Sequence, residues 1–443
     1  MPNQISTDRF QPARLIPTTG IKGSIDQERR ASSALLSVMK IVPELAYGLL
    51  KPLGAPRGSI ETYIEPEFKQ NGRKIRPDGL ISIQRGKRQW LALVEVKTGK
   101  NDLQASQIHE YLDICRDYKV DALLTISNEV LNASGAHPTT GIDSRKLRSV
   151  RLQHFSWLRI LTESVVLADH VGLDDVERRL VLTELIRFLQ SGASGASEFN
   201  DMGPAWVNVR DGIRTGAITK PTQEVLDTVS RFESLVRYAA LRLSKQLGVS
   251  VTEVVPRSAK TDYRKHLIEA GGKFVASKTL GGTLEVPDAA TPLEITADIG
   301  SGFLRFGCNI SAPAEGRNRT RINWVLRQVK KNADGINLSW VYKHSRSSEP
   351  PYRVQDLMSP DFDFEMSSSR EISSFRLEKV VKMGSKRTAG KGGFIDSVVD
   401  GVEDFYGQVL EVLTPWQAPA PKLPVPQAGK EPLLSDVSQG LAH

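Results

Sequence analysis

The run Trp90-Leu91-Ala92-Leu93-Val94-Glu95-Val96-Lys97 constrains this chain most, because it is apolar enough to be an interior strand yet ends in an acid and a base. Alternate side chains of a strand point to opposite faces, so Val94 and Val96 turn into a core while Glu95 and Lys97 share the other side. Upstream, Pro77-Asp78-Gly79-Leu80-Ile81-Ser82-Ile83 reads as a second strand, and Gln84-Arg85-Gly86-Lys87-Arg88-Gln89 as the basic turn joining the two. Asp78 and Glu95, with 16 residues between them, are therefore expected on neighbouring strands. A charged pair near the end of a buried strand is costly unless something compensates it. A divalent metal held by Asp78 and Glu95 is the compensation this residue set suggests.

The surrounding pattern places these strands in an α/β unit. Residues 1–20 read as a flexible lead with Pro2, Pro12 and Pro17. A helix is expected over 24–50, with Ser24 and Gln27 at capping-box spacing and Ala34, Leu35, Val38, Ile41 and Val42 on one apolar face. Pro43 kinks that helix or divides it in two. A strand at 60–66 precedes the two motif strands; a helix over 102–118 and strands at 120–126 and 147–155 follow. Residues 156–190 are helical, and 191–197, all Ser, Gly and Ala, read as a linker. A long helix over 222–247 is read as a scaffold or dimerising element. Strands at 281–286, 293–299 and 303–310, a helix at 321–331, and strands at 336–343 and 372–381 make a further mixed domain. The segment from 415, with five prolines in 415–426, reads as a tail.

With those elements in order, Pro77-Asp78 and Glu95-Val96-Lys97, followed by Gln107-Ile108-His109-Glu110-Tyr111 on a helix, resemble the PD-(D/E)xK nuclease superfamily, specifically its RecB-like branch with a Q-x-x-x-Y signature. The resemblance covers residues 21–160. It implies a restriction-endonuclease-like mixed central sheet flanked by helices, then a helical connector over 161–250 and a C-terminal α+β recognition or regulatory domain over 251–414. It also implies Mg²⁺-dependent hydrolysis of DNA, with Mn²⁺ as a substitute ion. Asp78 and Glu95 would then be metal ligands, the Val96 carbonyl a third oxygen, and Lys97 the group that orients water and stabilises charge on phosphate, or takes a proton if its pKa is depressed. Glu28 is a candidate further acid from the first helix, or else a partner of that helix's dipole; Glu65 and Glu67 compete for the same role. Gln107 would contact DNA or a metal-bound water. Tyr111 would position substrate or pack as a core residue, and Gln104 replaces Gln107 if the helix register shifts.

The cations suit the same chemistry. Arg73, Lys74 and Arg76 precede Asp78; Arg85, Lys87 and Arg88 form the turn; Lys100 follows Lys97. Crowded around a carboxylate site, such residues would neutralise phosphates, or else form a solvated hairpin tip. Arg319 and Arg321 open a second basic stretch, in which Arg321, Arg327, Lys330 and Lys331 are expected outside and Trp324 and Val325 inside. Lys386, Arg387 and Lys391 would make a basic loop. A net charge of +8 permits a polyanionic partner without demanding one.

Other classes are set aside. The 443 residues suit two or three domains. No apolar run approaches bilayer length, and the N-terminal residues lack an apolar signal core, so no membrane association and a cytoplasmic location are expected. Cys115 and Cys308 are far apart in sequence, making a structural disulfide improbable. There is no P-loop, no H-E-x-x-H and no G-x-S-x-G, and the seven histidines suggest no catalytic pairing. The competing readings are a non-catalytic DNA-binding protein with the same fold, and an oligomeric scaffold assembled through the 222–247 helix or the C-terminal domain.

Overall fold

The computed structural model describes residues 10–12, 15, 24–70, 72–99, 101–131, 137–191, 194–196, 199, 201–329, 331, 334–345, 347–359, 366, 368–384 and 392–418. The first helix, α1 (Ser24–Ile41), begins at the expected serine, and Pro43 opens α2 (Pro43–Leu50) at 106° to it. Proline lacks the N–H a continuing helix needs but is suited to a first turn, so one helix ends and another begins. Among the described residues no single helix is long and apolar enough to cross a membrane; only this bent pair passes that test jointly, and its Leu35, Val38, Leu45 and Leu49 are buried in the core.

Six strands make the first sheet: β1 (Gln11–Pro12), β2 (Ser59–Ile64), β5 (Gly79–Arg85), β6 (Arg88–Val96), β7 (Ala122–Ser127) and β8 (Arg151–Ser156), in the order β1-β2-β5-β6-β7-β8. The separate hairpin of β3 (Phe68–Gln70) and β4 (Arg73–Ile75) stands between β2 and β5 in sequence. β1, β2, β5 and β6 pair antiparallel, whereas β7 and β8 run parallel to β6. The parallel step from β6 to β7 is made by α3 (Ala105–Tyr118), as a crossover requires. Trp90, Ala92, Val94 and Val96 pack with α1, α2, α4 (Trp157–Val165) and α5 (Val176–Gln190); Leu91 and Leu93 pack with α3 on the other face. Cover on both faces explains why β6 reads as an almost unbroken apolar run.

The second sheet is antiparallel throughout, in the order β14-β13-β15-β12-β11-β10-β9. Its strands are β9 (Thr252–Glu253), β10 (Thr279–Glu285), β11 (Leu293–Asp298), β12 (Phe303–Ser311), β13 (Ile336–Tyr342), β14 (Tyr352–Arg353) and β15 (Ile372–Lys382). Ile336, Leu338, Trp340 and Tyr342 alternate inward along β13, the period-2 signature of a sheet with one buried face. The accompanying helices are α6 (Trp206–Thr215), α7 (Gln223–Leu247), α8 (Arg257–Thr261), α9 (Tyr263–Ser277), α10 (Asn318–Val329), α11 (Val354–Met358) and α12 (Phe394–Phe405).

Three expectations change. The connector expected over 161–250 is divided: α5 packs in the first core, α6 and α7 in the second. Phe232, Leu235, Val236, Ala239 and Leu243 of α7 are buried within the chain, so its apolar face serves the intramolecular core. The Ser/Gly stretch does not behave as a loose linker where it is described. Ser194 is fully buried, and the Gly195 carbonyl accepts from Gly99 N–H at 2.9 Å and from Asn128 Nδ2 at 2.9 Å. Finally, Arg321 faces inward. It is 1% exposed, and it donates to the Ile372 carbonyl at 2.7 Å and the Ala314 carbonyl at 3.0 Å. Both cysteines are free and buried.

Candidate functional site

The end of the β5–β6 hairpin away from its turn gathers the acids and the lysine. Asp78 immediately precedes β5, and its Oδ2 accepts the Val96 amide at 2.7 Å, tying the two strand ends together. Lys97, just past β6, donates from Nζ to Glu95 Oε1 at 2.7 Å and lies 3.8 Å from Glu28 Oε2. Gln107 Nε2 reaches down from α3 to the same Glu95 oxygen at 2.7 Å and to the Tyr111 hydroxyl at 3.0 Å. The four-residue spacing puts Gln107 and Tyr111 on one helix face. Glu28, in the second turn of α1, accepts from Asn101 Nδ2 at 2.7 Å and the Thr98 amide at 3.3 Å. Of the three competing glutamates, Glu28 is the one at the site. Glu65 pairs with Arg29, and Glu67 with Lys74 and Arg76.

Burial makes these charges matter. Glu95 is 2% exposed. Asp78 is partly covered, but its carboxyl is hemmed in; burial and then repulsion from Glu95 hold it well above the ordinary carboxylate range. Burial works against the Lys97 ammonium, yet Glu95, Asp78 and Glu28 together outweigh it and raise its pKa. A depressed, proton-accepting lysine is thus not what the acids around it produce. Burial and the Glu95 charge push the Tyr111 phenol upward, so it stays a neutral donor. Tyr111 is also 4% exposed and packs in the α3 core, the second of the two roles expected of it.

The expected cations scatter. Arg85, Lys87 and Arg88 sit at the opposite end of the hairpin, six residues from Gly79 along β5 and so roughly 20 Å from the acids. Arg73, Lys74 and Arg76 are exposed near Asp78 in sequence, with Lys74 and Arg76 engaged by Glu67 at 2.8 and 2.7 Å. Lys100, Lys330, Lys386, Arg387 and Lys391 lie outside the described residues. Arg319 is exposed on α10, in the other domain.

Several site residues carry no sequence signal of their own. Asn101 and Thr98, which hold Glu28, lie on an unremarkable loop, and Gly195 packs against Thr98 and Gln27: a Cβ there would lie 2.6 Å from Gln27 Oε1 and 2.8 Å from Thr98 Cβ. A second polar row continues from Glu95 across the sheet, because Thr125 is its register partner and His154 is the partner of Thr125. Thr139 N–H donates to His137 Nδ1 at 3.1 Å, which leaves the proton of a neutral ring on Nε2, 2.8 Å from Thr125 Oγ1. The Thr125 hydroxyl then meets His154 Nδ1 at 3.0 Å, and His154 Nε2 donates to the Glu129 carbonyl at 3.0 Å. Burial pushes His137 down to about 4 and His154 down to about 3, keeping both neutral. Only the strand register reveals this chain.

No protein-family model, curated protein or solved structure matches the chain. The argument for chemistry rests on donors. Among the described residues no group of three or more His, Cys, Asp and Glu side chains is arranged to hold a metal. The site offers two carboxylates, Asp78 and Glu95, whose mutual repulsion a cation would relieve. An all-oxygen pair fits Mg²⁺ or Mn²⁺, since Mg²⁺ characteristically uses one or two carboxylates and keeps several waters. Val96 faces Asp78 through its amide rather than through the carbonyl expected as a third donor.

Proposed function

We propose that the chain is a Mg²⁺-dependent endodeoxyribonuclease, with Mn²⁺ as a substitute ion, that hydrolyses DNA phosphodiester bonds at the Asp78–Glu95–Lys97 cluster. The observation that carries the reading is the meeting of two acids, one ammonium and the Gln107 amide at one end of the β5–β6 hairpin: Lys97 and Gln107 both donate to Glu95, and Asp78 is tied to the same end through the Val96 amide. The order helix, three antiparallel strands, crossover helix and parallel strand supports it, being the order that the restriction-endonuclease-like resemblance implies. When bound, the metal supplies Lewis acidity and a water of lowered pKa.

The chain's own residues do the rest. Lys97, kept charged by its acidic neighbours, offsets negative charge developing on phosphate oxygens. Gln107 fixes one oxygen of Glu95, and Tyr111 holds Gln107. Glu28, anchored by Asn101 and the Thr98 amide, limits where the lysine can swing. The antiparallel domain then serves recognition or regulation, as in a genome-defence effector, a step that is analogy from domain architecture. Purified protein, Asp78→Ala and Lys97→Ala are incubated with DNA and Mg²⁺, with melting curves to establish that the variants fold. Cleavage by wild type alone is expected; equal cleavage by folded variants removes the assignment.

A further inference from the structure

The basic turn of the β5–β6 hairpin is one part of a larger concentration of charge. Arg85, Lys87 and Arg88 crown the hairpin at the end remote from Asp78 and Glu95. Arg57 arrives beside them, because Gly58 presses on the Gln84 carbonyl and Ser59 is the register partner of Gln84; a Cβ on Gly58 would lie 2.1 Å from that oxygen. Arg151 opens β8 at the same end, since Ala122 pairs with Arg151 on one side and with Ala92 on the other. Its guanidinium lies against Gly54, where a Cβ would be 2.3 Å from Nη1, and Lys51 is tied to Gly54 by a 3.0 Å backbone hydrogen bond. Four strand spacings separate β2 from β8, so these six cations cross roughly 19 Å of the sheet's end.

All six are exposed, and among the described residues none of them forms an ion pair. Elsewhere in the same domain Lys40, Lys74, Arg116, Lys146 and Arg178 each have a carboxylate at 2.5–3.4 Å. Asp121 stands at the charged end too, but its Oδ2 accepts the Leu91 amide at 2.9 Å. The fold holds these charges together against their repulsion. Arg85 and Arg88 are register partners, so like charges face each other across the turn, an arrangement that costs stability. Arg57 sits 5.7 Å over the Tyr47 ring, and the Tyr47 hydroxyl donates to the Gly58 carbonyl at 2.7 Å. Unpaired cations gathered at one end create a positive potential that attracts a polyanion. Their spread is too wide for a single phosphate, whereas duplex DNA presents one negative charge per about 1.7 Å of its axis.

We infer that this end of the first sheet docks the phosphate backbone of duplex DNA, as an anchor separate from the Asp78–Glu95 cluster and roughly 20 Å from it. DNA as the polyanion rests on the nuclease reading; the charged surface does not. Binding is therefore read in chelator, and a chain that docks DNA here yet cuts none with Mg²⁺ upholds the anchor while removing the nuclease. Fluorescence anisotropy of a labelled duplex of about 20 base pairs, titrated with the full chain between about 50 and 200 mM KCl, gives the salt slope. Arg57→Gln, Arg88→Gln and Arg151→Gln lie on separate segments. Each is expected to reduce the slope by about 0.9, and the triple variant by about 2–3, with affinity at about 50 mM KCl lowered at least about tenfold. The comparison triple Arg178→Gln, Arg187→Gln and Arg214→Gln removes equal charge from ion-paired positions and is expected to leave the slope unchanged. Melting curves establish folding, and the single variants decide the matter if the triple unfolds. An unchanged slope in the folded single variants, an equal loss in the comparison triple, or tighter binding to phosphatidylserine vesicles than to the duplex overturns the assignment.

Discussion

Replacing Asp78 with asparagine separates two things that its carboxyl does. Oδ2 accepts the Val96 amide at 2.7 Å, a bond an asparagine carbonyl retains, whereas the charge beside Glu95 disappears. The carboxyl's pKa in the folded chain lies well above its unfolded value, first through burial and then through Glu95. Across that interval the folded chain holds more protons than the unfolded one. Stability therefore falls as pH rises, and the deficit is complete once the folded value is passed. Each pH unit of displacement is about 1.4 kcal/mol. With Lys97 still pairing Glu95, removing one uncompensated buried charge recovers on the order of 1–3 kcal/mol, or about 2–4 °C of melting temperature per kcal/mol for a domain of 150–250 residues. Metal-free Asp78→Asn is thus expected to melt several degrees above wild type at pH 7 to 8. Mg²⁺ reverses the order of gains: at ten times its Kd it adds about 1.4 kcal/mol to wild type and nothing comparable to the variant. Melting curves in chelator and across a Mg²⁺ titration read both effects. A variant less stable than wild type in chelator, or one with an undiminished metal shift, refutes the reasoning.

The neutral His137–Thr125–His154 chain predicts an acid window. Its stabilisation is present above the unfolded histidine value of about 6.5 and is lost as pH falls toward about 4 and about 3, a loss on the order of a few kcal/mol; urea titrations at pH 7 and pH 4.5 should show it, and show it reduced in His154→Gln. Arg321→Met leaves two carbonyls without their donor and is expected to cost about 2–4 kcal/mol by denaturant unfolding while leaving DNA affinity unchanged; a drop in affinity at equal stability would return Arg321 to the binding surface. Neutralising Arg85, Lys87 and Arg88 together should flatten the salt dependence of DNA binding by a slope of about 2–3 and leave turnover at saturating DNA intact, because the hairpin tip is far from the acids. Impaired turnover at saturation contradicts that placement.

The strand and helix pattern was legible because burial imposes periodicity. The apolar stretch that ends at Glu95-Val96-Lys97 is β6, flanked on both faces, and Pro43 divides α1 from α2 as its missing N–H requires. The expected long helix over 222–247 is α7, Gln223–Leu247, capped by Thr222, whose side chain accepts from the Val225 amide. The sequence could not separate a dimerising α7 from a core helix, because an apolar helix face looks the same whether its cover comes from another copy or, as here, from β10 and α12 of its own chain. Arg321 misled likewise, since a helical wheel records that an arginine is charged but not that two carbonyls await it.

What the sequence determined by itself is therefore local: which segments alternate, where helices start and stop, and that Asp78, Glu95 and Lys97 lie on adjacent strand ends. Tertiary structure alone decided which distant groups join them. It brought Glu28 rather than Glu65 to Lys97, set Thr125 and His154 in register with Glu95, packed Gly195 against Thr98, and carried the basic turn away to the far end of the hairpin. Backbone propensities act over a few residues, whereas register, crossover and packing act between segments as distant as Gln27 and Gly195 or Trp206 and Phe394, and no local pattern encodes those distances.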